Sequence, residues 1–194
     1  MRILDLGCGT GLSIKKVGLK LAADDIVVGV DIDETKLISA RSGCPARHFI
    51  CARGESLPLA STTFEFVLCN VSLPYMDIPE ALGEASRVLV AGGRLYLKVH
   101  PLGFTMKEIL NALPKPIATI FRLYVIANGF IFHLTGRTAS LLGRRTESFQ
   151  TRRGLRIALA RAQFTDLVFS RPEGKLIVQA RKTQAAAIVT PRAA

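Results

Sequence analysis

Three glycines and two aspartates, Asp5 and Asp31, are spaced in the first part of the chain as in a ligand-binding site. The stretch "LDLGCGTG" at 4–11 places Gly7, Gly9 and Gly11 directly after an apolar run. Glycine lets the backbone bend sharply and lets a ligand approach without a Cβ in the way. Asp31 ends the next apolar run, "IVVGVD", twenty residues after Gly11. A carboxylate at that position can accept hydrogen bonds from both hydroxyls of a ribose, so the spacing predicts a nucleotide or nucleoside site.

The glycine pattern departs from the dinucleotide fingerprint. That fingerprint reads G-x-G-x-x-G, with a third small residue that allows close packing of the following helix. In "GCGTGL", Leu12 stands where the third small residue belongs. A helix predicted over 12–22 points its N-terminus at the same turn, which favours a negative group there.

The elements that position these residues alternate along the chain. Apolar runs bounded by turn signals predict strands at 3–6, 26–30, 48–51, 64–69, 94–99, 167–170 and 176–180. Helical patterns lie at 12–22, 34–42 and 80–89, the last followed by a Gly92-Gly93 stop signal. This alternation predicts a mainly parallel sheet covered on both faces, with ligands at the carboxyl ends of its strands. The short "RPEG" turn at 171–174 makes the last two strands an antiparallel edge hairpin.

Composition bounds the class of protein. The 194 residues suffice for one domain, and 49% hydrophobic with 21% charged residues is a globular composition. The four cysteines have no metal-site or disulfide spacing, which predicts a reducing, cytoplasmic location and no metal site. A signal peptide is not expected, because Asp5 and the glycine turn stand where its apolar core would lie.

The net charge of +11 is concentrated in the second half. Residues 1–100 carry 11 basic and 11 acidic residues, whereas residues 101–194 carry 15 basic and 4 acidic ones. The densest stretch, 137–161, has seven arginines and a single acidic residue, Glu147. Such a patch suits phosphates, nucleic acid or an anionic membrane, and it is equally typical of a solvated helix face.

The apolar segment "IATIFRLYVIANGFIFHLTG" at 117–136 is long enough to cross a membrane. Arg122, Asn128 and His133 would then lie in hydrocarbon, at about 2.5–3.5 kcal/mol for a central arginine. A span between two strands of one sheet is also topologically awkward. A cap over a substrate pocket is favoured, and an interfacial helix beside the arginines is the alternative. Both alternatives favour a hydrophobic acceptor that carries phosphate or carboxylate.

Four blocks in order carry a family resemblance: "LDLGCGTG", "VGVDIDETKLISAR", "GESLPLASTTFEFVLCN" and "ALGEASRVLVAGGRLYLKV". Together they resemble the class I S-adenosylmethionine-dependent methyltransferases, in the branch acting on small molecules, quinones and lipids. The resemblance implies an α/β, Rossmann-like three-layer sandwich, whose seven-stranded, mostly parallel sheet has an antiparallel last strand. It also implies a methyltransferase domain over 1–182, in which 101–148 is a variable substrate-side insert. A disordered tail is expected over 183–194.

The resemblance further implies S-adenosylmethionine as the cofactor and assigns residues to it. The wall around the methionine part and the ribose would be formed by Asp5, Gly7, Gly9 and Gly11. Asp31 would hold the ribose hydroxyls and Ile32 would lie along the adenine. Asn70 and Val71 would lie below the sulfonium. The turn would then accommodate a nucleoside amino acid rather than a pyrophosphate.

Two departures from the family pattern affect this site. Residues 52–55 read "ARGE", so Arg53 replaces the aspartate that usually receives the adenine amino group. Arginine has no acceptor, and that contact must therefore move to a backbone carbonyl or disappear. The chain also begins inside its first strand, where relatives usually carry a helix. We expect either a truncated start or a site that is open on that side.

Methyl transfer mainly requires alignment of the nucleophile about 3 Å from the methyl group, and a base only if the acceptor must lose a proton. His100, at the end of the fifth strand, is the best candidate base, although a structural histidine is as well supported. Tyr75 would orient the acceptor or form an aromatic lid. "NVSLPY" at 70–75 lacks the adjacent prolines of "NPPY", which disfavours methylation of nucleic-acid bases.

The function predicted from these observations is methyl transfer to a small, hydrophobic or lipid-like acceptor, with peripheral contact to an anionic membrane. One alternative is an RNA methyltransferase that uses the arginine patch. Another is a cofactor-binding partner protein without catalysis. The oligomeric state stays open.

Overall fold

The computed structural model describes residues 1–99, 116–139 and 146–184. Its seven strands form one sheet in the order β3-β2-β1-β4-β5-β7-β6. The strands are β1 Arg2–Leu6, β2 Ile26–Asp31, β3 His48–Cys51, β4 Phe64–Asn70, β5 Leu89–Val99, β6 Phe164–Ser170 and β7 Leu176–Lys182. The described helices are α1 Ser13–Lys16, α2 Glu34–Gly43, α3 Ile78–Val88, α4 Pro116–Thr135 and α5 Arg152–Arg161.

Three of the helices begin at a side-chain cap that the sequence supplies. Asp33 accepts a hydrogen bond from Lys36 N at the start of α2, and Asp77 accepts one from Glu80 N at the start of α3. Thr151 does the same for Gly154 N at α5. Each of these caps satisfies one of the backbone N–H groups that a helix start leaves without a partner.

The predicted fold class is confirmed. β1, β2, β3, β4 and β5 pair in parallel, whereas β7 is antiparallel to both of its neighbours, β5 and β6. The chain proceeds from β1 to β2 and β3 on one side, and then returns to place β4 on the other side of β1. The switch point of the sheet therefore lies between the carboxyl ends of β1 and β4, where the glycine loop begins.

The first helix is much shorter than predicted. The pattern predicts a helix over 12–22, but α1 comprises only Ser13–Lys16, and Gly18 adopts a φ of +71° that ends it. A helix of a single turn has a small dipole, so the expected attraction of its N-terminus for a negative group is lost. The predicted stop at Gly92-Gly93 is also wrong: α3 ends at Val88 and β5 continues through both glycines.

Two apolar clusters cover the two faces of the sheet. The larger cluster packs α3 and α5 against β4 and β5, with Leu82, Ala85, Leu155 and Leu159 all buried. The smaller cluster brings Ile14 of α1 onto the other face. Side chains alternate along β1, so Leu4 and Leu6 join the larger cluster while Ile3 joins the smaller one. The face that carries Ile3 also carries Asp5.

Helix α4 packs against α5 rather than standing apart from the domain. A Cβ on Gly129 would lie 2.2 Å from the Phe149 ring, and one on Gly154 would lie 2.5 Å from Phe132 O. Gly136, just after α4, approaches Ala158 in the same way. A later position on α4 contacts a later position on α5, so the two helices run parallel. The first half of α4 therefore extends beyond the N-terminus of α5.

Candidate functional site

The glycine loop after β1 is held by the end of β2. Gly7 N and Cys8 N both donate to Val30 O, at 2.7 and 3.0 Å, and Gly9 N donates to the Asp31 carboxylate at 2.8 Å. Gly7 adopts a φ of +70°, and a Cβ there would lie 2.2 Å from the Ser72 Cβ. The loop therefore lies directly against the turn that follows β4, at a distance that only glycine permits.

Asp31 is fixed by backbone donors on two sides. Its second carboxylate oxygen accepts from Asp33 N at 3.0 Å, while the first accepts from Gly9 N. A carboxylate has about four acceptor positions. Each oxygen therefore keeps an acceptor position for a further donor. The carboxylate is oriented without being saturated, which suits the recognition of a diol.

A groove runs over this loop and has two parts. The smaller cavity has a volume of about 310 Å³ and the larger one about 690 Å³. Both parts are lined by Gly7, Asp31, Lys36, Ser72 and Tyr75. Asp31 thus lies where the two parts join, as a group that contacts the middle of an elongated ligand would.

The smaller cavity has apolar walls and a charged rim. Its apolar lining consists of Leu6, Val30, Ile32, Ala52 and Met76. Arg53 lies on the rim, where its guanidinium contacts Glu55 Oε1 at 3.3 Å. The same Glu55 oxygen accepts from Asp77 N at 3.0 Å. The arginine that departs from the family pattern is therefore paired within the chain, beside the apolar lining of the smaller cavity.

The larger cavity reaches the end of β4, where the backbone takes an uncommon conformation. Val71 has a φ of +68°, and its N–H donates to Lys98 O at 2.8 Å. A β-branched residue rarely adopts this conformation, and such strain is concentrated at functional sites. The buried Asn70 Oδ1 has no hydrogen-bond partner within the described part of the chain. A buried acceptor without a partner is costly, so this atom favours a ligand that donates to it.

Asp5 lies beneath the loop rather than on the groove wall. Its side chain is buried, and its Oδ1 has no hydrogen-bond partner among the described residues. Burial raises the pKa of Asp5 to about 7, while the nearby Arg47 guanidinium opposes that shift. Arg47 also donates to Gly11 O at 2.7 Å. Arg47, which the sequence pattern does not single out, therefore ties the end of the loop to the same region.

The structure brings most of the predicted site residues to one groove. Those that line it are Gly7, Gly9, Asp31, Ile32, Asn70, Val71 and Tyr75. Gly11 is not among them: a Cβ there would lie 3.3–3.4 Å from Phe49 and Ala40, so this glycine packs against α2 and β3. Tyr75 is 58% exposed at the junction of the two cavities. The candidate base His100 lies outside the described residues.

Four lysines on the groove were not found from the sequence. The larger cavity is lined by Lys16, Lys36, Lys98 and Lys175. They come from α1, α2, β5 and the turn before β7, so no short motif contains more than one of them. A sequence signal was available for Lys98, because it lies near the carboxyl end of the strand predicted at 94–99, and the structure places it opposite Asn70. The larger cavity is the basic end of the groove.

The buried thiols near the site do not have the character of nucleophiles. Burial raises the pKa of Cys8 to about 12 and that of Cys69 to about 11. A thiol must ionise to attack a carbon, and these remain protonated at neutral pH. Among residues 1–99, 116–139 and 146–184 no three His, Cys, Asp or Glu side chains are grouped to hold a metal ion.

Comparison with known proteins associates this geometry with a family. The model of a methyltransferase domain family matches residues 4–97. The malonyl-[acyl-carrier protein] O-methyltransferase of Methylovorus sp. is 35% identical over 123 residues, which are 57% of this chain and 40% of that protein. The 2-phytyl-1,4-naphtoquinone methyltransferase of Thermosynechococcus vestitus is 34% identical over 95 residues, 47% of this chain and 42% of that protein. The chain thus spans about two fifths of the length of these relatives.

The fold is similar to solved structures over nearly its full length. A crystal structure of an S-adenosylmethionine-dependent methyltransferase from Methanosarcina mazei superposes with a TM-score of 0.61. The alignment covers 95% of this chain and 93% of that one, at 18% sequence identity. At that identity the likeness concerns the fold, and it extends beyond the region that the family model matches.

Proposed function

Since a methyltransferase domain family model matches residues 4–97 and two named methyltransferases are 34–35% identical over parts of the chain, we propose that this protein is a class I S-adenosylmethionine-dependent methyltransferase. It would bind S-adenosylmethionine along the groove and methylate a small, hydrophobic or lipid-like acceptor. The observation that carries the proposal is Asp31. Its carboxylate is oriented by Gly9 N and Asp33 N, and it lies at the junction of an apolar cavity and a basic one. A nucleoside amino acid has the matching order of parts: a flat base, a diol and a charged tail.

The residues of the groove fit this cofactor. Ile32 and Met76 would lie along the adenine, and Asp31 would accept from both ribose hydroxyls. The backbone of Gly7 and Gly9 would follow the methionine part, over the buried Asp5. Asn70 Oδ1, which has no hydrogen-bond partner among the described residues, and the Val71 turn would lie below the sulfonium. Lysines such as Lys16 and Lys98 would attract the carboxylate of the methionine tail.

Methyl transfer requires little covalent chemistry from the protein itself. The cofactor supplies a methyl carbon that already carries a good leaving group. The chain therefore has to hold the acceptor atom about 3 Å from that carbon, in line with the leaving group, and to exclude water. Tyr75, at the junction of the two cavities, is placed to orient an acceptor or to cover the reacting atoms. A general base, for which His100 is the candidate, is needed only if the acceptor must lose a proton.

The names of two relatives support the proposed class of acceptor. One is named for malonyl-[acyl-carrier protein] and the other for a naphthoquinone with a phytyl chain. Neither name refers to a nucleic acid. The lysines of the larger cavity make an acceptor with a carboxylate or phosphate the best match within this class.

The proposal is tested first by calorimetric titration of the protein with S-adenosylmethionine, S-adenosylhomocysteine and NAD. Saturable binding of the first two and no binding of NAD is expected. Asp31→Ala removes two charge-assisted hydrogen bonds, each about 1.5–3 kcal/mol, so affinity should fall about a hundredfold or more. Asp24→Ala, at an exposed aspartate away from the groove, is the matched control and should bind as the wild type does.

Turnover is tested separately. The protein is incubated with S-adenosylmethionine labelled at the methyl group and with lipid-soluble, polar and RNA fractions of a cell extract. Label in the lipid-soluble or small-molecule fraction supports the proposal. Label in RNA would instead favour the alternative function, an RNA methyltransferase that uses the arginine patch. A folded protein that binds neither S-adenosylmethionine nor S-adenosylhomocysteine refutes the proposal for this chain.

A further inference from the structure

Helix α4 presents an apolar stripe to solvent. Ile120, Leu123, Phe130 and Leu134 are 65, 55, 55 and 62% exposed. Their spacings of three, seven and four residues place them on one side of the helix, with Ala127 between them. The segment Ile117–Thr135 has the length and composition of a membrane span, with a mean hydropathy of 1.6. An exposed apolar stripe of this length marks an interaction surface.

The opposite side of α4 is built into the domain. Val125, Asn128 and Phe132 are at most 4% exposed. The Asn128 amide donates to Thr146 O and Glu147 O, at 3.1 and 3.0 Å, and its carbonyl accepts from Ala139 N at 2.7 Å. A helix crossing a bilayer would break these bonds and expose their partners to hydrocarbon. The helix can therefore meet a membrane only by lying along its surface.

The stripe ends beside a cluster of arginines. Residues 116–161 contain eight arginines and one acidic residue. Arg161 donates to Thr135 O at the end of α4, and Arg137 follows two residues later. Arg153, near the start of α5, is exposed as Arg161 is. No acidic residue lies within α4. An apolar stripe with a positive border is the combination that binds anionic lipid surfaces.

We propose that α4 binds flat on an anionic membrane surface, with the stripe in the boundary of headgroups and acyl chains and the arginines at the lipid phosphates. The first half of α4 extends past the N-terminus of α5. Helix α5 leads directly into β6, and β6 is parallel to β1, so the N-terminus of α5 lies at the carboxyl edge of the sheet. The first half of α4 therefore lies at that edge as well. The bound helix would bring the groove close to the lipid. This goes beyond methyl transfer and does not depend on it.

A second copy of the chain is a poorer occupant of the stripe. Parallel pairing of two α4 helices would bring the arginines at their carboxyl ends together. Antiparallel pairing would set each cluster against a first turn that has no acidic residue. Neither arrangement neutralises the charge, whereas lipid phosphates do. A cap over the groove is also disfavoured, because no α4 residue lines either cavity.

The test is flotation of the full chain with vesicles of phosphatidylcholine, alone or with about 30% phosphatidylglycerol. We expect binding to the anionic vesicles, reduced at about 0.5 M NaCl by screening. The double variant Ile120→Ser, Leu123→Ser should reduce the binding about tenfold or more. The matched control is Ile38→Ser, Val168→Ser, at side chains that are 59 and 61% exposed elsewhere. It should bind as the wild type does.

A charge variant tests the second half of the proposal. Arg137→Glu, Arg153→Glu should abolish the preference for anionic over neutral vesicles, with an unchanged thermal melt as the check on folding. Equal flotation of the stripe variant and the wild type overturns the proposal, as does a wild type that stays unbound. Resistance to alkaline extraction would instead indicate a span. Concentration-dependent dimerisation that the stripe variant removes would assign the stripe to a second copy.

Discussion

Asp5 provides a sharp prediction, because its position makes stability depend on pH in an unusual direction. Burial raises the pKa of Asp5 to about 7 from an ordinary value of 3.8. Below pH 3.8 the group is protonated in both states and imposes no penalty. As the pH rises from about 4 to 7, the unfolded chain releases its proton while the folded chain keeps it. The Asp5 contribution to the free energy of unfolding therefore falls through this range and is constant above it.

The magnitude follows from the size of the shift. Three pKa units, at about 1.4 kcal/mol each, correspond to roughly 4 kcal/mol lost between pH 4 and pH 8. This is a large part of the 5–15 kcal/mol that typically holds a domain together. Asp5→Asn keeps the shape of the side chain and removes the ionisation, so it should remove the pH-dependent loss.

The assay is urea denaturation of both proteins at half-unit steps from pH 4.5 to pH 8. The difference in unfolding free energy, variant minus wild type, should rise by about 3–4 kcal/mol over this range and level off above pH 7. The test is the change of this difference with pH, because a difference that is the same at every pH would reflect the packing of the amide. Asp24→Asn, at an exposed aspartate, should leave the difference flat. Parallel pH profiles of Asp5→Asn and wild type would refute the reasoning.

Two further predictions follow from single contacts. Gly7→Ala places a Cβ 2.2 Å from the Ser72 Cβ at a φ of +70°, and should lower the free energy of unfolding by about 2 kcal/mol or more in urea. Gly43→Ala, at the end of α2 with no atom within 4 Å, should be neutral or slightly stabilising, and an equal loss in both variants would contradict the steric account. Asn128→Ala leaves the buried Thr146 O and Ala139 N without partners, and should cost about 2–4 kcal/mol by thermal or urea unfolding. A loss below about 1 kcal/mol would show that α4 is not anchored by this residue.

Local patterns made the glycine loop predictable. Gly7 and Gly9 directly follow β1, and Asp31 ends β2, the next strand along the chain. Their hydrogen bonds join residues within this segment from β1 to β2. The mainly parallel sheet also follows from the alternation of elements, since parallel strands need crossover connections that usually contain a helix. The short α1 was not predictable in the same way: the apolar spacing continues past Lys16, but the positive φ of Gly18 ends the helix.

The sequence by itself determined that the glycine loop and Asp31 lie together at the strand ends and which family the chain resembles, because turn residues and strand ends act through neighbours in the chain. Only the tertiary structure decided what surrounds those residues. Folding brought four lysines from four elements to one cavity and buried Asp5 under the loop, which sets its pKa. It also divided α4 into a buried side and an exposed stripe. Burial and electrostatic environment depend on contacts between segments far apart in the sequence, and no local pattern encodes them.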